Sequence, residues 1–170
     1  MPENADANTD AVLIRPVRPE DTEGVYALRL LPTVLDGTLA LPSGRIEETH
    51  QRLSSYGPDM HSFVAILEDQ IVGMAGLHVG TGRRRHTASL GMMVHDRFQG
   101  LGIGRKLLAA LLDVADTYLG LARVELEVFP DNARAISLYE SVGFEREGYK
   151  RKAVWRRGGH QDSIMMARIR

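Results

Sequence analysis

The chain has 170 residues, enough for one domain with a sizeable core; it is 44% hydrophobic and 25% charged, with a formal net charge of -1. That balance gives no electrostatic case for nucleic acid or an anionic membrane as partner, and no run of 18 apolar residues provides a transmembrane helix. Cysteine is absent, which excludes disulfides, thiolate metal sites and a cysteine nucleophile; the polar, acidic start Met1-Pro2-Glu3-Asn4-Ala5-Asp6 does not read as a secretory leader, so the cytoplasm is the expected location.

Residues 1–10 are rich in Asn, Asp, Ala and Thr and read as a disordered tail, leaving 11–170 as a single domain. Val12-Leu13-Ile14-Arg15-Pro16-Val17 reads as a first strand, with Pro16 marking an edge or a strand end. Pro19-Glu20-Asp21 opens a helix whose apolar stripe is Val25, Leu28 and Leu31. Residues 31–44, with Pro32, Gly37, Pro42 and Gly44, read as a loop, and a second helix over about 45–56 carries Ile46, Thr49 and Leu53 on one side. Two apolar runs, 62–67 and 71–79, flank the polar turn Glu68-Asp69-Gln70 and read as a hairpin. A basic loop, Gly82-Arg83-Arg84-Arg85-His86, leads to an apolar strand, Ser89-Leu90-Gly91-Met92-Met93-Val94.

The next helix starts near Gly104 or Arg105, puts Leu107, Leu108, Leu111, Val114, Ala115 and Tyr118 on one face, and ends at Gly120. Residues 123–129 alternate strictly, with Val124, Leu126 and Val128 on one face and Arg123, Glu125 and Glu127 on the other. Pro130-Asp131-Asn132 caps a helix running to about Val142 and stopped by Gly143. A final hairpin spans about 145–156 and 162–168, with a turn at Gly158-Gly159.

Between the apolar strand and the helix after it stands Gln99-Gly100-Leu101-Gly102-Ile103-Gly104. Three glycines in five positions bare the backbone. The first N–H groups of the following helix lack intrahelical partners, and the helix dipole is positive at that end. Loop and helix start together make an anion site suited to a pyrophosphate. A dinucleotide fingerprint would need a third glycine where Arg105 stands, and a P-loop would need Ser or Thr after a Gly-Lys pair that Gly104-Arg105-Lys106 does not supply. The hexapeptide alone is equally compatible with a tight strand–helix turn.

The pattern Gln/Arg-x-x-Gly-x-Gly/Ala does fit, as Gln99, Gly102 and Gly104. A second segment, Asn132-Ala133-Arg134-Ala135-Ile136-Ser137-Leu138-Tyr139-Glu140-Ser141-Val142-Gly143-Phe144, matches Asn-x-x-Ala-x-x-x-Tyr-x-x-x-Gly-Phe. With these segments in this order, the chain resembles the GNAT superfamily of acyl-CoA N-acyltransferases over nearly its whole length. The resemblance implies an α+β fold, a mostly antiparallel mixed sheet of seven strands flanked by about four helices and splayed in a V after the fourth strand. It implies acetyl-CoA as co-substrate, with the pyrophosphate on Gln99, Gly100, Leu101, Gly102, Ile103, Gly104 and Arg105. The pantetheine arm is then expected along Met92, Met93 and Val94, where a strand bulge frees an N–H for the thioester oxygen, and past Asn132. No metal is expected.

Acyl transfer from a thioester to an amine needs a held CoA, a polarised carbonyl, an unprotonated amine and a proton for the departing thiolate. The resemblance puts Tyr139 beside the CoA sulfur as general acid; a phenol of pKa about 10 is protonated at neutral pH and matches an aliphatic thiolate in basicity. Taken alone, Tyr139 reads as a core residue sharing a helix face with Ile136 and Val142. Many relatives carry a carboxylate base on the strand before the glycine loop, yet residues 83–95 contain none. Glu127, with Glu125 beside it, is the alternative catalytic candidate; an ion pair with Arg123 and a water chain are the competing readings. Without cysteine, direct transfer in a ternary complex is expected.

His78 and His95 read as structural, and Arg83-Arg84-Arg85 as a solvated loop. Acceptor choice is expected in residues 31–44, the second helix and the final hairpin. The C-terminal stretch resembles a GNAT branch that acetylates small amines, free amino acids and protein N-termini. An amino acid or other small amine is the expected acceptor; polyamines, protein N-termini and a non-catalytic acetyl-CoA sensor are the alternatives. Val154, Trp155, Ile164 and Met165 near a sheet edge imply a homodimer.

Overall fold

A computed structural model describes residues 11–170; the expected tail, 1–10, lies outside the described residues. The chain runs β1 (Leu13–Pro16), α1 (Thr22–Arg29), α2 (Pro32–Gly37), α3 (Ile46–Ser54), β2 (Met60–Leu67), β3 (Gln70–Val79) and β4 (Thr87–Val94). It continues through α4 (Ile103–Asp113), β5 (Arg123–Val128), α5 (Ala133–Glu140), β6 (Glu145–Arg156) and β7 (Gly159–Ile169). One sheet holds the seven strands in the order β1-β2-β3-β4-β5-β7-β6, so β1, with its Pro16, is an edge.

Every neighbouring pair is antiparallel except β4 and β5. That parallel pairing runs only from Thr87 opposite Arg123 to Ser89 opposite Glu125. Beyond it the two strands part, and the sheet opens in the expected V. Leu107, Leu108 and Leu111 of α4 and Ile136 and Tyr139 of α5 pack one face, together with Val124 and Leu126 of β5. Val25, Leu28, Val34 and Leu53 from α1, α2 and α3 cover the other, against Val64 and Met74.

Among the described residues five helices therefore flank the sheet, where about four were expected. The extra one is α2, in the stretch read as loop. Pro32 occupies its first turn, where a missing N–H costs nothing, and buried Val34 ties it to α1. Helix α4 begins at Ile103, a residue or two earlier than expected, because Gly102 takes the N-cap with a left-handed φ of 82°. After Asp113 the helix widens into a π turn, Val114–Tyr118, in which Leu119 N–H donates to Val114 O at 3.0 Å. The wider turn breaks the 3.6-residue phase, so Tyr118, expected on the apolar face, is 76% exposed.

The last hairpin turns at Arg157 and Gly158, one residue earlier than expected. Arg156 pairs with Gly159, and both loop residues have positive φ, 52° and 74°. The expected bulge in β4 is not there: its register with β3 runs unbroken from Ala88 opposite Val79 to Val94 opposite Gly73.

Candidate active site

The opening in the sheet is made by backbone alternation. His95 N–H donates to Val72 O at 2.9 Å and Gly80 N–H to Thr87 O at 2.8 Å. In an antiparallel ladder this assigns the odd-numbered residues of β4 to β3. The even-numbered ones face β5, which has moved away past Ser89. Peptide groups of Leu90, Met92 and Val94 thus look into the gap. The splay does there what the bulge was expected to do, and Met93 reaches the cleft without turning its N–H toward it.

At the end of β4, Val94 O accepts from Gln99 Nε2 at 3.2 Å, and Gln99 Oε1 accepts from Arg134 Nη1 at 2.9 Å. Gln99 thereby joins strand, loop and the first turn of α5. Gly100 and Gly102 have φ of 84° and 82°, and a Cβ at either would meet nothing within 4 Å. The space before this backbone is open, and only glycine takes up that conformation without strain. The first helical bond of α4 is Lys106 N–H to Gly102 O at 3.0 Å, so the N–H groups of Ile103, Gly104 and Arg105 precede the ladder. An open cradle with outward N–H groups at a helix start fits a pyrophosphate. Gly104 has another reason to be small: a Cβ there would lie 3.2 Å from Leu138 Cδ2, where α4 meets α5.

One cleft of about 430 Å³ is lined by Met92, Met93, Val94, Gln99, Gly100, Gly102, Gly104, Arg105, Asn132, Glu127 and Tyr139. Leu101 and Ile103 do not line it, and the Ile103 side chain, 1% exposed, anchors α4 in the core. Asn132 Oδ1 accepts from Ala135 N–H at 3.1 Å, capping α5. Two turns on, Tyr139 is 6% exposed, with its ring 5.7 Å from that of Phe144. Among the described residues its hydroxyl has no hydrogen-bond partner, and burial pushes its pKa up to about 12.

Glu127 is the one carboxylate among the described residues lining the cleft. Its Oε2 accepts from Lys150 Nζ at 2.7 Å and its Oε1 from Ser163 Oγ. Burial raises its pKa, but the bonds from Lys150 and Ser163 outweigh that, and it sits below the ordinary carboxylate range. Glu125 is held by Arg123 Nε at 2.8 Å and does not line the cleft. His95 caps a turn, its Nδ1 accepting from Arg97 N–H at 3.2 Å.

Sequence reasoning missed Phe98 and Arg134; Thr33, Val34, Gly37, Thr38 and Leu39, which also line the cleft, fall in the stretch 31–44 where acceptor choice was expected, but the helix α2 that presents the first three was read as loop. Arg134 lies inside the second motif, so its position was in view; its bond to Gln99, 35 residues away, was not. For α2 the one local signal was Pro32 at a helix start.

A splayed mixed sheet, opening on a glycine-rich helix start and a capped helix that carries a buried tyrosine, defines an acyl-CoA N-acyltransferase. The chain belongs to the GNAT family: the model of the acetyltransferase (GNAT) family matches residues 33–144. It is 32% identical to the L-amino acid N-acetyltransferase AaaT of Escherichia coli strain K12, over 94% of this chain and 98% of that protein. The ribosomal-protein-alanine N-acetyltransferase of Brucella melitensis superposes with a TM-score of 0.82 at 29% identity, over 93% of this chain and 99% of that one. A spermidine N-acetyltransferase of Vibrio cholerae, solved with CoA and spermine, shares the fold with a TM-score of 0.83 at 21% identity, over 94% and 96% of the two chains. The protein is an acetyl-CoA-dependent N-acetyltransferase.

Proposed function

We propose that the acceptor is the amine of a free amino acid and that the acetyl group passes to it directly, with both substrates bound. The observation that carries this reading is the match to an L-amino acid N-acetyltransferase along nearly the full length of both chains. Absence of cysteine supports direct transfer, since no thiol is available to hold the acetyl group. Acetyl-CoA supplies an activated acyl group and a thiolate leaving group. Gly100, Gly102 and the first turn of α4 receive its pyrophosphate, and Met92 and Val94 offer N–H groups to its pantetheine arm, which Asn132 flanks. Tyr139 holds a proton at its phenolic oxygen and gives it to the leaving sulfur. Glu127 is ionised on the cleft wall before reaction; although both oxygens already accept, it takes up the amine's proton through a bridging water, becomes the neutral acid and releases that proton to solvent after turnover. We take the cytoplasm, where acetyl-CoA is available, as the setting, and a homodimer joined near β6 as the working form.

The test is release of free thiol from acetyl-CoA over an amine panel of L-amino acids, spermidine and an alanine-initiated peptide. Turnover concentrated on free amino acids is the expected result. Turnover confined to spermidine or the peptide would overturn the acceptor, and tight CoA binding without release for any amine would make the protein a sensor.

A further inference from the structure

A second cavity, of about 510 Å³, lies between α1, α3 and strands β2 to β4. It meets the first cleft at residues 90–93 of β4 and at Thr38 and Leu39, which line both. At this junction Gly91 leaves the wall bare, since a Cβ there would meet nothing within 4 Å. The cavity is lined by two arginines, Arg29 and Arg52, and by no Asp or Glu among the described residues.

Arg29 is half-buried and donates to a neutral oxygen, Thr49 Oγ1, at 3.1 Å. No carboxylate among the described residues lies in ion-pair reach of it. Glu48, whose charge it feels, is taken by Arg45 at 3.2 Å. Burial and the nearby Arg52 push the Arg29 guanidinium below its ordinary range, whereas Arg15, Arg123 and Arg168, each bonded to a carboxylate, are raised. Ser62 lines the same cavity, but its Oγ is sealed against Gly76 of β3 and is not open to the cavity, so the unpaired group offered to an occupant is Arg29. A half-buried cation is normally paired.

We propose that this cavity is the acceptor subsite and that Arg29, with Arg52 on its exposed side, binds the α-carboxylate of the amino acid. The guanidinium fork matches a carboxylate, and the acceptor's amine then points toward the β4 junction. Met60, Met74 and Leu39 on the same wall fit an apolar side chain. Two cations and no acid on the wall repel a polyamine. This inference rests on the amino-acid reading and sharpens it.

The experiment compares kcat/KM for L-methionine and L-methioninamide in the wild type and in Arg29→Gln, Arg29→Lys and Arg52→Gln, with CoA binding as the control for folding. The two amines differ in basicity, so the readout is the change in the acid-to-amide ratio between variants. A charge-assisted hydrogen bond lost from a site built for it lowers that ratio about tenfold to a hundredfold in Arg29→Gln, mostly through KM, with partial recovery in Arg29→Lys. A change under about fivefold, with methionine still acetylated by the wild type, overturns the Arg29 assignment and leaves the amino-acid reading standing. Turnover of spermidine or a peptide alone, or of no amine, removes both. If Arg29→Gln fails to bind CoA, the exposed Arg52→Gln carries the same readout, and an unmoved ratio there overturns the proposal.

Discussion

Tyr139 is buried as a ring and free as a hydroxyl. Its ring packs on Phe144, while among the described residues nothing bonds its oxygen, which belongs to a residue lining the cleft. A pKa raised to about 12 by burial keeps the proton in place at any pH of physiological interest. A thiolate formed in the same low-dielectric cleft is raised for the same reason, so the two stay comparable. Tyr139→Phe removes the hydroxyl and leaves the packing. The variant should fold and bind acetyl-CoA as the wild type does and lose about 10²–10⁴ in kcat, the usual worth of general acid help. If chemistry limits the rate and kcat stays within about a factor of two, Tyr139 is a packing residue and the proton comes from water. Tyr139, Asn132 and the glycines were legible because each sits in a local pattern. The partners of Glu127 were not: Lys150 and Ser163 stand 23 and 36 residues away. Nothing in the alternation of β5 distinguishes a free carboxylate from a doubly bonded one.

Among the elements, α2 shows why periodicity reads some of this fold and not the rest. Six residues between Pro32 and Gly37 are too few for a helical period, and no side chain caps the N-terminus, although Thr38 Oγ1 donates to Val34 O at 2.7 Å at the other end. Besides the burial of Val34 against α1, α2 is held from the far end of the chain. Asp36 accepts from Arg156 Nη2 at 2.7 Å and from Arg157 Nε at 2.8 Å. Both arginines also reach Asp131, in the connection that leads into α5, and Arg156 stacks 4.3 Å above the Phe129 ring. The bonds from Arg157 and Arg156 hold the Asp36 pKa at about 2, below its ordinary value of 3.8. A depressed carboxylate pKa stabilises the fold above the unfolded value, and that contribution is lost as pH falls from 3.8 to about 2. Asp36→Asn should therefore lower the melting temperature by about 2–4 °C at neutral pH, the scale of an exposed ion-pair network. The difference between the two proteins should shrink through that acid window, while the other carboxylates titrate alike in both. A constant difference down to pH 2 would mean that the charge of Asp36 does not hold α2.

At the scale of the whole molecule, the strand order ends on β6, and this edge carries the prediction about assembly. An open edge invites a second chain unless bulges or charges guard it. The register of β6 with β7 slips between Arg146 and Gly148 and again between Lys150 and Val154, and Lys152 takes a φ of 51°. Arg151 and Lys152, following the still-paired Lys150, stand in the second irregularity, so continuous strand addition is blocked in the middle of the edge. Apolar surface remains on either side of it. Tyr149 is exposed, and Trp155 is 67% exposed, with its ring 4.9 Å from that of His160. Ile164, first read as part of the contact, is core. The homodimer is therefore expected to bury Tyr149 and Trp155 by side-chain packing rather than by extending the sheet. Trp155 is the single tryptophan, so its fluorescence reports this surface alone. On dilution from micromolar concentration, emission should shift to the red as sedimentation passes from twice 18.8 kDa to 18.8 kDa. Trp155→Lys should remove the heavier species. An 18.8 kDa species alone at micromolar concentration, or a dimer that persists in Trp155→Lys, would rule out this interface.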